Sequence, residues 1–446
     1  MQTANPASAA APPRPWKFGF WSLIVTQFQG AFSDNALKNL VVLLIVGAGL
    51  SEAKEHAIGE LVGALFSLPF ILFSMTGGFM ADRFSKRTIC IGVKIFEIFV
   101  MVFATAGLAW KNLPMQLAAV FFMGVHSAFF GPSKYGSLPE LLDEHRLSWG
   151  NGVLELGTFL AIIFGTVAAS VLADKLNGQQ GWSGVALILL AACGLAASLG
   201  ITKVPAADPS RRYRPNFIGE LWAEMREAKK DRPLALALLG NTYFFFLAAL
   251  LMLNLFFYGS HVLHLGKLNI GLLNVAVALG IGFGSLAAGY LSRGRIEIGL
   301  IPLGAAGLAV TSSVMALPGL SFSLAMVGLA LLGLTGGFFI VPISALLQHR
   351  PAKERKGRVL AMANLLSFIG VFAASGAHYV LTELGGLRPG GVFMAGGVMT
   401  VFGTFAVVKL VPDSLTRLAE WSRTLFKVRP TAAADTHTLP AADEAD

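Results

Sequence analysis

Charge is scarce in this 446-residue chain: Asp, Glu, Lys and Arg make up 13% of it, against 55% hydrophobic residues. Soluble domains carry about a quarter charged residues, so this balance excludes an ordinary soluble domain and points to lipid. Cysteine is scarcer still. Cys90 and Cys193 lie in separate apolar runs, which excludes a disulfide framework and a cysteine-based metal site. No secretory signal peptide opens the chain, because its Ala/Pro-rich start has no apolar run before Arg14. GxSxG, P-loop, HExxH and H-x4-D patterns are also missing, which argues against hydrolase, nucleotide-driven, zinc-protease and acyltransferase chemistry. His261 and His264 form an HxxH with no third ligand nearby, short of a zinc site. No cofactor is expected.

What the chain has in abundance is long apolar runs and 50 glycines. A span needs about 20 mostly apolar residues to cross about 30 Å of hydrocarbon, and small residues let membrane helices approach closely. On that rule the first six spans fall near 20–48, 58–81, 88–110, 114–132, 149–173 and 182–202. The second six fall near 233–258, 269–292, 297–317, 320–345, 358–381 and 390–412. The reading is an all-α membrane protein with twelve transmembrane helices. A disordered tail covers 1–19, one six-helix half 20–202, a polar connector 203–232, a second half 233–412 and a second tail 413–446.

The basic residues set an orientation. Of the 34 Lys and Arg, outer loops hold only Lys54, Lys111, Lys175, Lys267 and Arg388, and Lys38 and Lys94 fall within spans. The remainder collect in the segments that are cytoplasmic if both termini are, as the positive-inside rule requires. The net charge of +9 is then a topology signal and a match to anionic lipid, and no nucleic acid is implied.

The halves repeat. "GGFMADRFSKR" (Gly77–Arg87) is answered by "AAGYLSRGR" (Ala287–Arg295), with Gly78 matching Gly289. Phe129, Phe130 and Pro132 are answered by Phe338, Phe339 and Pro342, Glu155 by Asn364 and Phe159 by Phe368, at nearly constant offsets of 209 to 211. Two six-helix parallel repeats of this kind build transporters whose substrate site lies between rocking halves.

"GGFMADRFSKR" resembles the signature loop of the major facilitator superfamily, through Gly78, Ala81, Asp82, Arg83, Lys86 and Arg87, with Ser85 in place of the usual glycine. "AFSDNALKN", "FFGPSKYGSLPEL", "NGVLELGTFLAIIFGTVAASVLAD" and "GGFFIVPISALLQ" resemble the bacterial lysophospholipid transporter family, nearest its branch fused to phospholipid acyltransferases. The resemblance implies the major facilitator fold in the bacterial inner membrane, and a flippase bringing lysophospholipids to the cytoplasmic leaflet for reacylation. No acyltransferase is encoded here, so that partner is expected as a separate chain, and the transporter as a monomer. The seventh span has no basic residue where an arginine is expected in standalone relatives.

Asp34 and Lys38 are four apart inside the first span, on one helix face where they can pair. One reading is a structural ion pair. The other is a headgroup site, with Lys38 facing phosphate, Asp34 facing an amine and Asn35 and Gln27 adding neutral partners, since intramembrane ionisable residues mark function. Glu155, beside Thr158, has no basic residue within a turn and needs a partner from another helix, water or a proton. Lys134 sits at the expected exit of the fourth span, as a phosphate contact or a helix anchor. Lys94 and Glu97 are read as structural, with Lys94 snorkelling to the interface. His126 and His378 are relay or packing residues. Gly78, Asp82, Arg83, Lys86 and Arg87 are, by the resemblance, a gate locking the halves on the cytoplasmic side. Two rivals remain: a proton-coupled transporter of another small amphipathic solute, in which Glu155 and His126 matter most, and a membrane enzyme or scaffold.

Overall fold

The structure, a computed structural model, describes residues 16–46, 52–176, 178–213, 216–410 and 416–420. Most of both expected tails (1–15 and 421–446) lies outside them. The first half comprises α1 (Trp16–Val46), α2 (Glu52–Arg83), α3 (Lys86–Ala109), α4 (Leu113–Leu141), α5 (Glu144–Lys175) and α6 (Gln180–Leu199). The second comprises α8 (Arg232–Phe257), α9 (Lys267–Leu291), α10 (Leu300–Met315), α11 (Phe322–His349), α12 (Lys356–Tyr379) and α13 (Pro389–Leu410). Between them the connector carries a short helix, α7 (Phe217–Ala228).

The twelve expected spans correspond one for one to these long helices. By length and apolarity alone, nine of the described helices suffice to cross a membrane, and Leu300–Met315 and Pro389–Phe405 are shorter. α1 has 31 residues, but Gln27, Gln29, Asp34, Asn35, Lys38 and Asn39 dilute its apolar content. Side chains start several helices where the sequence changes character. Asn112 accepts the Met115 amide at 3.0 Å to open α4, and Ser321 accepts that of Leu324 at 3.3 Å to open α11.

Several helices run further than the apolar pattern indicates, three of them at the connector end. α4 continues to Leu141, α5 starts at Glu144, and α11 reaches His349. Polarity ends an apolar run without ending a helix. Past Pro132 in α4, the Ser137 hydroxyl bonds back to the Ser133 carbonyl at 2.7 Å, and Ser133, Gly136, Ser137 and Leu138 stay buried.

Packing repeats between the halves. α1 lies on α5, α2 on α4, and α3 on α4 and α6; likewise α8 lies on α12, α9 on α11, and α10 on α11 and α13. The halves meet through two equivalent pairs, α2 with α12 and α5 with α9. Phe70 of α2 stacks on Phe368 of α12 with centroids 4.0 Å apart. In the other pair, a Cβ at Gly282 of α9 would lie 3.8 Å from Cβ of Phe159, the repeat equivalent of Phe368.

Contacts between the halves gather at the connector end. Asn151 and Gln348 exchange hydrogen bonds at 3.0 and 2.7 Å, and a ring nitrogen of His145 lies 2.6 Å from the Gly294 carbonyl. Toward the opposite end of α2, α9 and α12, a Cβ at Gly59, Gly63, Gly271 or Gly376 would meet no atom of the described residues within 4 Å. The molecule is closed at the connector end, and these helices have free flanks at the other.

Candidate functional site

Four charged side chains within the first half make up the candidate site: Asp34 and Lys38 on α1, Lys134 on α4, and Glu155 on α5. All are partly buried. Among the described residues, none has an ion-pair partner within 4.0 Å. The pairing that the Asp34–Lys38 spacing allows is not made. Asp34 instead accepts a hydrogen bond from Ser127 Oγ of α4 at 2.7 Å, and its Oδ1 has no hydrogen-bond partner among the described residues. Lys38 Nζ lies 5.2 Å from the Phe66 ring centroid, over its face, a cation–π contact.

Lys134 is not the last residue of its helix. It lies seven residues before the end of α4, donates to Gln27 Oε1 of α1 at 2.8 Å and is 4.8 Å from the centre of the Tyr135 ring. Gln27 in turn donates to Thr158 Oγ1 of α5 at 2.8 Å. Of the partners open to Glu155, the structure supplies one from another helix: it accepts from Tyr135 OH of α4 at 3.0 Å. Hydrogen bonds thus join α1, α4 and α5 around charges of both signs. Asn35 donates to its own helix, to the Ala31 carbonyl at 2.8 Å. A surface cavity of about 480 Å³ between α3 and α6, lined by Thr105, Trp182 and Val185 among others, holds none of these groups.

Behind this site lies a second, fully buried cluster. Lys94 does not snorkel; it is fully buried and pairs with Glu97 at 2.7 Å. Gln29 closes the pair into a ring, accepting from Lys94 at 2.6 Å and donating to Glu97 at 2.8 Å. His126 Nε2 stands 3.3 Å from Glu97 Oε2, and His126 Nδ1 stands 3.3 Å from Ser127 Oγ, the group that holds Asp34. Sequence reasoning passed over Gln29, Ser127 and Tyr135. Their signal was available in part: polar residues inside apolar runs must find partners, because lipid offers none.

At the connector end, Asp82 is fully buried at the tip of α2 and reaches the first turn of α12. Its Oδ1 accepts the Gly357 amide at 2.7 Å, and its Oδ2 accepts that of Arg358 at 3.2 Å and Arg211 Nη1 at 2.7 Å. A carboxylate on a helix N-terminus meets both free amides and the positive end of the helix dipole. Glycine makes the approach possible: a Cβ at Gly78 would lie 2.5 Å from Cβ of Ala361 and 2.7 Å from the Gly357 carbonyl. Arg83 donates to the Arg211 carbonyl at 2.7 Å, tying down the connector. Lys86 and Arg87 stay within the first half, Lys86 on Glu140 and Arg87 on the Leu199 carbonyl at 2.7 Å. Of the five expected gate residues, Gly78 and Asp82 meet the other half.

Two six-helix halves of one topology, joined by a connector and enclosing intramembrane charges, define a transporter of the alternating-access class. The family model for the Major Facilitator Superfamily matches residues 19–375. The chain is similar to the lysophospholipid transporter LplT of Klebsiella pneumoniae (strain 342), 28% identical over 84% of this chain and 91% of that protein. It is 30% identical to LplT of Escherichia coli O139:H28, over 78% of this chain and 85% of that one. In fold it resembles the human organic anion transporter MFSD10, with a TM-score of 0.73 at 14% identity over 89% of this chain and 99% of that one. It also resembles FucP in its outward conformation, with a TM-score of 0.69 at 13% identity over 92% and 99% of the two chains. The protein is a multi-pass membrane transporter of the major facilitator superfamily. Within it, the chain belongs to the lysophospholipid transporter family.

Proposed function

We propose that this protein carries lysophospholipids from the outer to the cytoplasmic leaflet of the bacterial inner membrane by alternating access. The observation that carries the reading is the contrast between two sets of buried charge. Lys94 and Glu97 neutralise each other, whereas Asp34, Lys38, Lys134 and Glu155 have no ionic partner within 4.0 Å among the described residues. Charge inside a membrane costs about 2.5–3.5 kcal/mol or more per group, so groups left unpaired are suited to a ligand that brings its own charges. A lysophospholipid headgroup brings phosphate for Lys134 or Lys38 and, where it has an amine, a cation for Asp34 or Glu155. The single acyl chain stays against Phe66, Phe70 and Phe368.

In this reading both termini and the connector are cytoplasmic, the Asp82 contacts are the closed inner gate, and the free flanks opposite open toward the outer leaflet. The protein performs no covalent chemistry. It works as a monomer, and a separate acyltransferase consumes the delivered lysolipid. The test uses purified protein in liposomes with fluorescent lysophosphatidylethanolamine in the outer leaflet. Protein-dependent loss of access to a membrane-impermeant quencher is expected, with no such loss for a diacyl lipid. Equal rates for both lipids, or none in folded protein, reject the reading.

A further inference from the structure

The connector helix α7 has two unlike faces, and the proposed function uses neither. Its docked face holds all three of its acids. Glu220 meets Arg211, which also holds Asp82 at 2.7 Å; Glu224 holds Arg355 at 2.6 Å; and Glu227 faces Arg355 at 3.6 Å. Leu221 and Met225 pack on the core beside them, and Ala228 is buried within it. α7 is therefore clamped across the gate, to the end of α2 through Arg211 and to the start of α12 through Arg355.

The opposite face is exposed and contains no acid. Ile218, Trp222 and Arg226 follow at helical spacing, with Ala223 and Lys229 beside them. Ile218 is 65% and Trp222 55% exposed. The guanidinium of Arg226 lies over the Trp222 ring at 5.7 Å. Arg212 and Tyr213, just before the helix, are exposed as well. Lys230 pairs with Glu227 at 2.6 Å, and among the described residues Arg212, Arg226 and Lys229 are the exposed cations that flank this stripe.

Its partners also fix the level of α7. They lie at the last turn of α2 and at the start of α12, where the helices emerge from the bundle. Asp231, three residues past α7, opens α8 by accepting the Leu234 amide at 3.3 Å. Exposed Trp21 and Tyr290 stand on helices at this same end, and exposed Phe84 in the turn between α2 and α3, as in an interfacial aromatic belt. A short helix at that depth, with tryptophan and an aliphatic beside basic residues, matches the surface of a leaflet bearing anionic headgroups.

We propose that the exposed stripe of α7 is a seat for anionic phospholipid of the leaflet at the connector end, and that lipid held there steadies the closed gate. The seat stands on the helix geometry alone; the effect on the gate also rests on reading the Asp82 contacts as a gate. While α7 is docked, its stripe remains free for lipid, so binding and docking reinforce each other. Leaflet composition then sets how readily α2 and α12 part.

Two measurements on the full chain test this separately. A nitroxide at Ala223→Cys, in a Cys193→Ser background, is placed in nanodiscs of phosphatidylcholine with and without phosphatidylglycerol. Phosphatidylglycerol is expected to lower its access to a water-soluble nickel relaxant and raise its access to oxygen. Each basic side chain near an anionic surface is worth roughly fivefold in local lipid preference. The triple variant Arg212→Gln, Arg226→Gln, Lys229→Gln therefore loses the response, and high salt removes it from the parent. An unchanged label, an equal response in the triple variant, or protection only on adding a soluble acyltransferase overturns the seat. For the gate, spin labels at Phe84→Cys and Lys353→Cys are expected to shift to the short-distance population with phosphatidylglycerol, but not in the triple variant. Distances that ignore phosphatidylglycerol overturn the gating claim and leave transport itself untouched.

Discussion

Asp82 accepts the amide of Gly357 at 2.7 Å, so the tip of α2 caps the first turn of α12 across the boundary between the halves. The bond exists only while the halves touch at this end, and it therefore stabilises one state of the transporter relative to the other. Losing a helix cap costs about 0.5–2 kcal/mol, before the loss of the contact with Arg211. Asp82→Ala is expected to lower the closed-to-open ratio at this end roughly tenfold, since 1.4 kcal/mol is a factor of ten. Ser74→Cys gives the readout. Ser74 is buried and accepts from Asn364 of α12 at 3.0 Å, so faster modification from the connector side reports opening. An unchanged rate contradicts the gate.

Much of this was legible in the sequence. Hydropathy and the repeat offsets place all twelve long helices, and the Gly78–Asp82 pattern marks the crossing of the halves. The pairings were not legible. Asp34 and Lys38 share a helix face, yet each found a better partner on a neighbour: Ser127 on α4 for Asp34, and the Phe66 ring on α2 for Lys38. Lys94 is close enough in sequence to the interface to snorkel, but Gln29 and Glu97 provide a complete polar ring where it stands. Spacing along one helix reports which residues can meet, and only tertiary packing reports which do.

Gly78 tests the same gate sterically. A Cβ there would overlap Ala361 at 2.5 Å and the Gly357 carbonyl at 2.7 Å, and backbone cannot rotate away as a side chain does. Gly78→Ala is expected to fold, because the clash lies between halves, and to disfavour the closed state by about 1–3 kcal/mol, a typical overpacking penalty. Adding Ala361→Gly relieves one of the two contacts, so partial recovery of closure is expected from the Ser74→Cys modification rate. Full closure in Gly78→Ala alone contradicts the tight crossing.

The Lys94–Glu97 pair is predicted to be structural. Both side chains are fully buried, and removing one partner of a buried pair leaves an uncompensated charge, costing about 3–5 kcal/mol. Lys94→Met alone should lower the thermal unfolding temperature in detergent substantially. Lys94→Met with Glu97→Gln removes both charges and should recover most of the loss. Because His126 and Ser127 connect this pair to Asp34, the double variant also reports on the site. Near-normal lysolipid movement in it is expected if the cluster only supports the fold.

For Asp34, Lys134 and Glu155 the expected pattern is the reverse. Their neutral partners, Ser127, Gln27 and Tyr135, serve an amide nearly as well as a charge, so Asp34→Asn, Lys134→Gln and Glu155→Gln should unfold within a few degrees of the parent. What they lose is the ion offered to the headgroup. A hydrogen bond to a charged group is worth about 1.5–3 kcal/mol, which predicts a roughly ten- to hundredfold slower lysolipid movement in each variant at limiting substrate. The signs of charge give a sharper check. If Lys134 meets phosphate, Lys134→Gln slows every lysophospholipid, whereas Asp34→Asn slows those with an amine headgroup more than lysophosphatidylglycerol. Wild-type rates in all three variants, measured by quencher accessibility in matched liposomes, remove these residues from the substrate path. A loss of stability in place of a loss of rate assigns them to the fold.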